Sequence, residues 1–270
     1  MTSLGAVVHP TAIVGPNVQL GRGSVIEAFV VLGTPPRGKT AEDSPLVIGP
    51  GAVVRAHSTI YGGTTIGARL QTGHGAVIRE DNVLGDDVSV GTAASLEFGN
   101  RIGSGVRIHT GCFLELVTIE DQVFVGPRVV FTDDPHPQCP AYLDCVKGAT
   151  VRRRARIGAN ATVLPGVEIG EDALVGAGSV VRRHVKPRSV VAGNPAVEVK
   201  EDIRDLACFV GIYPHAYSWL GDLPERGSGS ARATRAGAPA PASESASDRA
   251  ERGGAGRRGE ASRTSARRKT

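Results

Sequence analysis

Aliphatic side chains recur at every sixth residue along most of this chain, and that period limits the fold more than any other property of the sequence. The series starts at Val8, Val14, Leu20, Ile26 and Leu32. It resumes at Ile48 and runs in frame to Leu114, broken only by Thr72, then slips by one residue to Ile119, Val125 and Phe131. A last block runs Val151, Ile157, Val163, Ile169, Val175 and Val181. Glycine often follows the aliphatic residue, as at Gly49, Gly85, Gly103, Gly158 and Gly176, and the fourth position after it is small or β-branched. Each hexad therefore reads as a short strand and a turn, and three hexads close one triangular coil of about 18 residues. An ordinary sheet also accommodates a multiple of its two-residue period. It gives no reason for a glycine at a fixed offset through a dozen hexads. The count predicts an all-β chain, a parallel β-helix of about 8–9 coils over residues 7–196.

Composition agrees with a thin, aliphatic interior. Phe, Trp and Tyr make up 4% of the chain, and Gly numbers 36. No start-of-chain segment resembles a signal peptide and no apolar run approaches membrane-spanning length, so a soluble, cytoplasmic protein without a membrane partner is expected. The net charge of +4 is misleading. Residues 225–270 hold eleven Arg and Lys against five Asp and Glu, so the remainder is slightly acidic and gives no case for a nucleic-acid-binding domain. Residues 221–270, rich in Gly, Ser, Ala, Pro and Arg, are expected to be a disordered basic tail, and 197–220 a helical cap with a helix beginning at Val197. Cys112, Cys139, Cys145 and Cys208 lack a CxxC pattern and read as free thiols; Cys139 and Cys145 alone leave room for a metal or redox role.

Interruptions of a solenoid repeat emerge as loops and often build the binding site. Two occur here, at 34–45 and 132–148. The second opens with Asp133 and Asp134, which are either site carboxylates or a capped Asp-Pro turn. Assigning hexads to faces in threes puts His57, His74 and His109 along one side, with a hollow beside the small hexad that starts at Val90. Arg79, Glu97 and Glu115 then stack as a charged ladder on the next face. Three histidines raise the question of zinc, but His109 lies two coils beyond His74, about 10 Å along the axis at one strand spacing per coil. No metal is therefore expected.

The stretch Thr118-Ile-Glu-Asp-Gln-Val-Phe-Val-Gly-Pro-Arg-Val-Val-Phe-Thr-Asp-Asp resembles the hexapeptide-repeat acyltransferases, as do Ile157-Gly-Ala-Asn-Ala-Thr-Val, Val175-Gly-Ala-Gly-Ser-Val-Val and Val191-Ala-Gly-Asn-Pro-Ala. Together these stretches look like the enzymes that N-acetylate nucleotide-linked amino sugars for surface-polysaccharide synthesis. That resemblance implies a left-handed coil, a homotrimer with sites between neighbouring β-helices, and acetyl-CoA as cosubstrate along the C-terminal coils. It places Gly158, Ala159, Asn160, Gly176, Ala177 and Gly178 beside the pantetheine, and Lys186 or Asn194 near the nucleotide end. Asp134 matches the acidic residue of the family's Phe-Thr-Asn-Asp motif, while Asp133 replaces its usual Asn. His74, between Gly73 and Gly75, is expected to act as base or to position substrate, with Asp134 as its catalytic companion. His57, His109, Glu115 and Asp133 are candidate substrate contacts, and corner-glycine N–H groups candidate oxyanion donors. The alternatives are O-acetylation of a sugar or small alcohol, a zinc hydratase of the γ-carbonic-anhydrase kind, and a non-catalytic scaffold. The hydratase signature has two histidines five residues apart, a pair this chain lacks.

Overall fold

A computed structural model describes residues 5–206, which wind into a left-handed parallel β-helix with three sheets as its faces. The first face begins at Val7–Val8 and gains a strand with every coil, through Val53–Val54, Arg107–Ile108 and Leu174–Val175, to Val190–Ala192. Strands such as Ile13–Val14, Val77–Ile78 and Val130–Phe131 form the second face, and Val18–Leu20, Val83–Leu84 and Glu168–Ile169 belong to the third. Neighbours pair in parallel with like positions in register, as in Val77 with Ser95 and Ile78 with Leu96. The coil is longer than the sequence count. Ten parallel strands stack on the first face, because Val185 and Val191 continue the winding after a two-residue slip that hides them from the hexad frame.

Every in-frame aliphatic residue from Leu20 to Val181 points inward, and Ile48, Ile78, Leu96, Ile157 and Val163 are fully buried. Burial of each such side chain contributes about 1.5–3 kcal/mol. The exception, Thr72, is buried too, and its hydroxyl accepts the Arg55 N–H at 2.8 Å, so the polar group is satisfied inside.

Two backbone demands shape each corner. A side chain at Gly49 would put its Cβ 2.5 Å from the carbonyl oxygen of Gly67 in the next coil, so glycine after the strand serves close stacking of coils. The left-handed residue comes two positions later. At the corner between the first and second faces it is Phe29, His57, Gly75, Ala93, Gly111, Arg128, Asn160 and Gly178, all with φ between 51° and 68°.

Both long loops leave from the corner between the second and third faces, after strands Val31–Thr34 and Val130–Phe131. The one-residue slip falls at the same corner, where Leu116 takes a φ of 55°. Gly148 returns the second loop directly over it; a Cβ there would lie 1.8 Å from the Leu116 oxygen. Gly148→Ala is expected to cost at least 2 kcal/mol, read as a lowered denaturation midpoint at unchanged slope.

The helix expected from Val197 does not begin there. Val197–Lys200 is a strand that turns back antiparallel on Val190–Ala192, and a single 3-10 turn follows at Ile203–Asp205. Alternation of Val197 and Val199 with Glu198 and Lys200 is a strand period, and it prevails over the helical reading. The rest of the expected cap, the basic tail at 221–270 and Cys208 lie outside the described residues. Among those described, no helix is long and apolar enough to cross a membrane.

Candidate active site

The three corners divide the residues that the sequence singled out. The first corner carries His57, His74, His109, Gly158, Ala159, Asn160, Gly176, Ala177, Gly178 and Asn194. The corner between the second and third faces carries Glu115, Asp133 and Asp134, and Lys186 sits at the corner that leads back to the first face.

At the first corner the histidines occupy three different positions. His57 is the left-handed residue and stacks on Phe29, with ring centroids 5.1 Å apart. His74 is exposed, and its carbonyl accepts the Ala93 N–H. Its charge acts on Glu27, whose carboxyl is held below its ordinary range chiefly by a hydrogen bond from Arg55. His109 follows its strand directly and tilts against Phe124 at 4.7 Å. Among the described residues no three His, Cys, Asp or Glu side chains converge on one point.

His109 lines one hollow, and its ring packs on Phe124, which lines a second. The first, a polar one of about 270 Å³, is lined by Gln71, Gly73, Ser89, Gly91, Arg107, His109 and Thr110, beside the small hexad where a hollow was expected. The second, an apolar one of about 460 Å³, continues along the same face and is lined by Phe124, Arg156, Gly158, Leu174, Gly176 and Ala177. Gly158 and Gly176 are needed there for stacking as well, since Cβ atoms would lie 2.5 Å from the Ala177 nitrogen and 2.9 Å from the Ala192 Cβ. Asn160 and Gly178 hold left-handed conformations that Asn and Gly tolerate best. Asn194 follows the top strand at this corner, one level beyond Gly176.

The corner glycines cannot donate to a ligand through their backbone. The N–H groups of Gly73, Gly91, Gly158 and Gly176 are all spent on carbonyls of the next coil, those of Val90, Ile108, Val175 and Val191. The residue after each glycine or histidine is different. Among the described residues the N–H groups of Thr110, Ala159 and Ala177 have no acceptor, and Thr110 and Ala177 line the polar and the apolar hollow.

The second corner is an acidic ladder. Arg79 donates to Glu97 at 2.7 Å, as the 18-residue spacing predicted, and also to the adjacent Glu80 at 2.7 Å. Asp133 is buried and accepts the Tyr142 hydroxyl at 3.3 Å, whereas Asp134 takes the His136 N–H at 2.7 Å and caps its own Asp-Pro turn. Burial, and then the charges of Asp133 and Glu97, push the Glu115 carboxyl above its ordinary range. A carboxyl raised by folding contributes stability at low pH that is lost as pH rises through its folded value. Glu115→Gln is therefore expected to raise the melting temperature at pH 7 by about 1–2 °C, and the gain should vanish near pH 4. A gain that persisted at pH 4 would assign the effect to packing.

Lys186 pairs with Glu198 at 3.1 Å and lines two other hollows with His184, and it does not line the apolar groove. Cys112 is buried, and burial pushes its thiol up; Cys139 and Cys145 are free thiols in the second loop.

Residues 148–183 match the family model for the bacterial transferase hexapeptide (six repeats). The putative lipopolysaccharide biosynthesis O-acetyl transferase WbbJ of Escherichia coli (strain K12) is 29% identical over 141 residues, which cover 40% of this chain and 72% of that protein. The galactoside O-acetyltransferase of the same strain is 27% identical over 130 residues, 44% of this chain and 63% of that protein. The bifunctional protein GlmU of Nocardia farcinica is 30% identical over 207 residues, 72% of this chain and 39% of that protein. The chain thus spans less than two thirds of the latter two relatives. Among solved structures, the UDP-N-acetylglucosamine acyltransferase from Campylobacter jejuni superposes with a TM-score of 0.53 at 16% identity, over 71% of this chain and 73% of that one. That likeness is one of fold.

Proposed function

We propose that this chain, a hexapeptide-repeat protein of the acyltransferase superfamily, moves an acetyl group from acetyl-CoA to a sugar or sugar-nucleotide acceptor. The observation that carries the reading is the pair of hollows flanking His109, which lines the polar one and packs on Phe124 of the apolar one. An apolar groove suits the pantetheine arm, which offers mostly methylene surface and few polar groups. The polar hollow beyond it suits a sugar. Between them an imidazole stands where thioester and acceptor would meet.

The chemistry divides among these parts. His109 would accept the proton as the acceptor oxygen or nitrogen attacks the thioester carbon, and would return it to the departing thiolate. The free N–H group of Thr110, next to His109 in the chain, would take the oxyanion that forms, since such a donor needs no rearrangement during reaction. Leu174→Glu would put a charge in the apolar groove, and a rise of about 10-fold or more in KM for acetyl-CoA is expected at unchanged fold. Steady-state kinetics against acetyl-CoA, with circular dichroism as control, check it.

Acceptor chemistry allows two readings. The sequence motifs favour an amino group. A hydroxyl is favoured by the histidine at the junction, which an amine needs less, and by two relatives whose names specify O-acetyl transfer. A panel of hydroxyl and amino sugars with acetyl-CoA, scored by thiol release and by alkaline lability of the product, separates ester from amide. Absence of thiol release across the panel, together with no binding of coenzyme A, would sink the acetyltransferase reading. Three copies per assembly, as the resemblance implies, are expected in sedimentation equilibrium.

A further inference from the structure

The outward-facing row of the first face runs Gln71, Ser89, Arg107 and Phe124 from coil to coil, and the side chains of the first three form the floor of the polar hollow. Arg107 is the only charged residue among those lining it apart from what His109 can gain, and none of the lining residues is acidic. Several other arginines on the coils have partners. Arg69 holds Asp87, Arg79 holds Glu80 and Glu97, and Arg152 holds Glu120 and Glu168. Arg156, on the same face, donates to the carbonyls of Gln122 and Arg154. Among the described residues the Arg107 side chain has no hydrogen-bond or ion-pair partner, and it is exposed beside a serine that leaves room above it. Arg107 and His109 are two residues apart on an extended stretch, so both point outward, their Cα atoms about 7 Å apart.

We propose that Arg107 is the specificity residue of the acceptor site and holds an anionic group of the acceptor, a carboxylate or a phosphate, while the acceptor's nucleophile reaches His109. The inference rests on the acetyl-transfer reading above for what His109 does, but not for what Arg107 binds. A planar guanidinium offers paired donors that fit either oxyanion, and Ser89 and Gln71 add neutral donors beside it. Neighbouring outward positions for the guanidinium and the imidazole suit acceptors whose charge lies a few bonds from the reacting group, as in a uronic acid or a glycosyl phosphate. Neutral sugars lack that handle. They would enter the hollow without a fixed register.

The test uses glucose, glucuronate and glucose 1-phosphate as probes, with the full chain and its Arg107→Gln and Arg107→Lys variants. Calorimetric affinity for each probe is measured in the presence of coenzyme A, and affinity for coenzyme A is measured separately. The expected result is tighter binding of one or both anions than of glucose. Arg107→Gln should weaken the preferred anion about 10–100-fold, and Arg107→Lys should restore part of the loss. Glucose and coenzyme A should be unaffected. Preference for glucuronate over glucose 1-phosphate, or the reverse, identifies the oxyanion. Equal binding of anions and glucose, no binding of either anion, or a loss confined to coenzyme A each overturn the proposal. Failure of coenzyme A to bind the unaltered chain, with anion binding still dependent on Arg107, would remove the acetyl-transfer reading and leave the anion site standing.

Discussion

His109→Ala is expected to lower kcat/KM for acetyl transfer to a hydroxyl acceptor by about 10²–10⁴, the range a positioned general base contributes. The expectation follows from place rather than residue type, since the first corner offers three histidines. His57 is committed to a left-handed turn and a stack on Phe29, and His74 lines neither hollow at the first corner. His109 alone borders the polar hollow, touches the aromatic wall of the apolar one and precedes the free N–H of Thr110. The same substitution should cost an amino acceptor less, because a desolvated neutral amine attacks without a base. His74→Ala should cost less than 10-fold with either acceptor. The ring of His109 is exposed, so loss of its contact with Phe124 should move the melting temperature by no more than about 2 °C. A larger loss from His74→Ala than from His109→Ala would transfer the role to His74, the residue that the sequence motif favours.

That contrast shows what the sequence made legible. A period of six, glycines at a fixed offset and two insertions were enough to assign faces. The stacking of Arg79 on Glu97 follows from nothing more than the 18-residue interval. What the period cannot show is which face of the solenoid is hollow, because that depends on outward residues the hexad rule leaves free. Ser89 and Leu174 look like filler in the sequence, yet one opens the polar hollow and the other walls the apolar one. The pair Asp133 and Asp134 shows the same limit. Their order in the chain gives no sign that the first is buried under Tyr142 while the second caps a turn. Slips in the frame were visible where one residue was lost and invisible where two were, so the tenth strand of the first face was not counted.

The other large effect lies inside the second corner, in residues that a search for aliphatic periodicity passes over. Asn100→Ala is expected to destabilise the chain by about 2–4 kcal/mol, the sum of a small cavity and buried polar groups left without partners. Asn100 is fully buried and bonded on both ends. Its amide nitrogen donates to the Asn82 Oδ1 at 2.8 Å and to the Glu97 carbonyl at 2.8 Å, and its Oδ1 accepts the Val117 N–H at 2.9 Å. The Asn82 oxygen in turn accepts the Asn100 N–H at 3.0 Å, and Thr64 does the same for Asn82 at 3.3 Å. A side chain in each coil thus satisfies the backbone of the next, and the series stops at Val117, where the short corner and the returning second loop take over. Because each coil rests only on its neighbours, the loss should open the chain locally around Glu97–Val117 before it unfolds as a whole. Hydrogen exchange at Val117 and Thr118 reads that opening, and a melting-temperature fall of roughly 4–16 °C reads the total. Asn100→Leu decides the cause. It fills most of the volume but still leaves the Val117 N–H unpaired, so it should recover only a minor part of the loss. Full recovery by leucine would mean that the corner is held by packing, and that the asparagine ladder adds nothing to it.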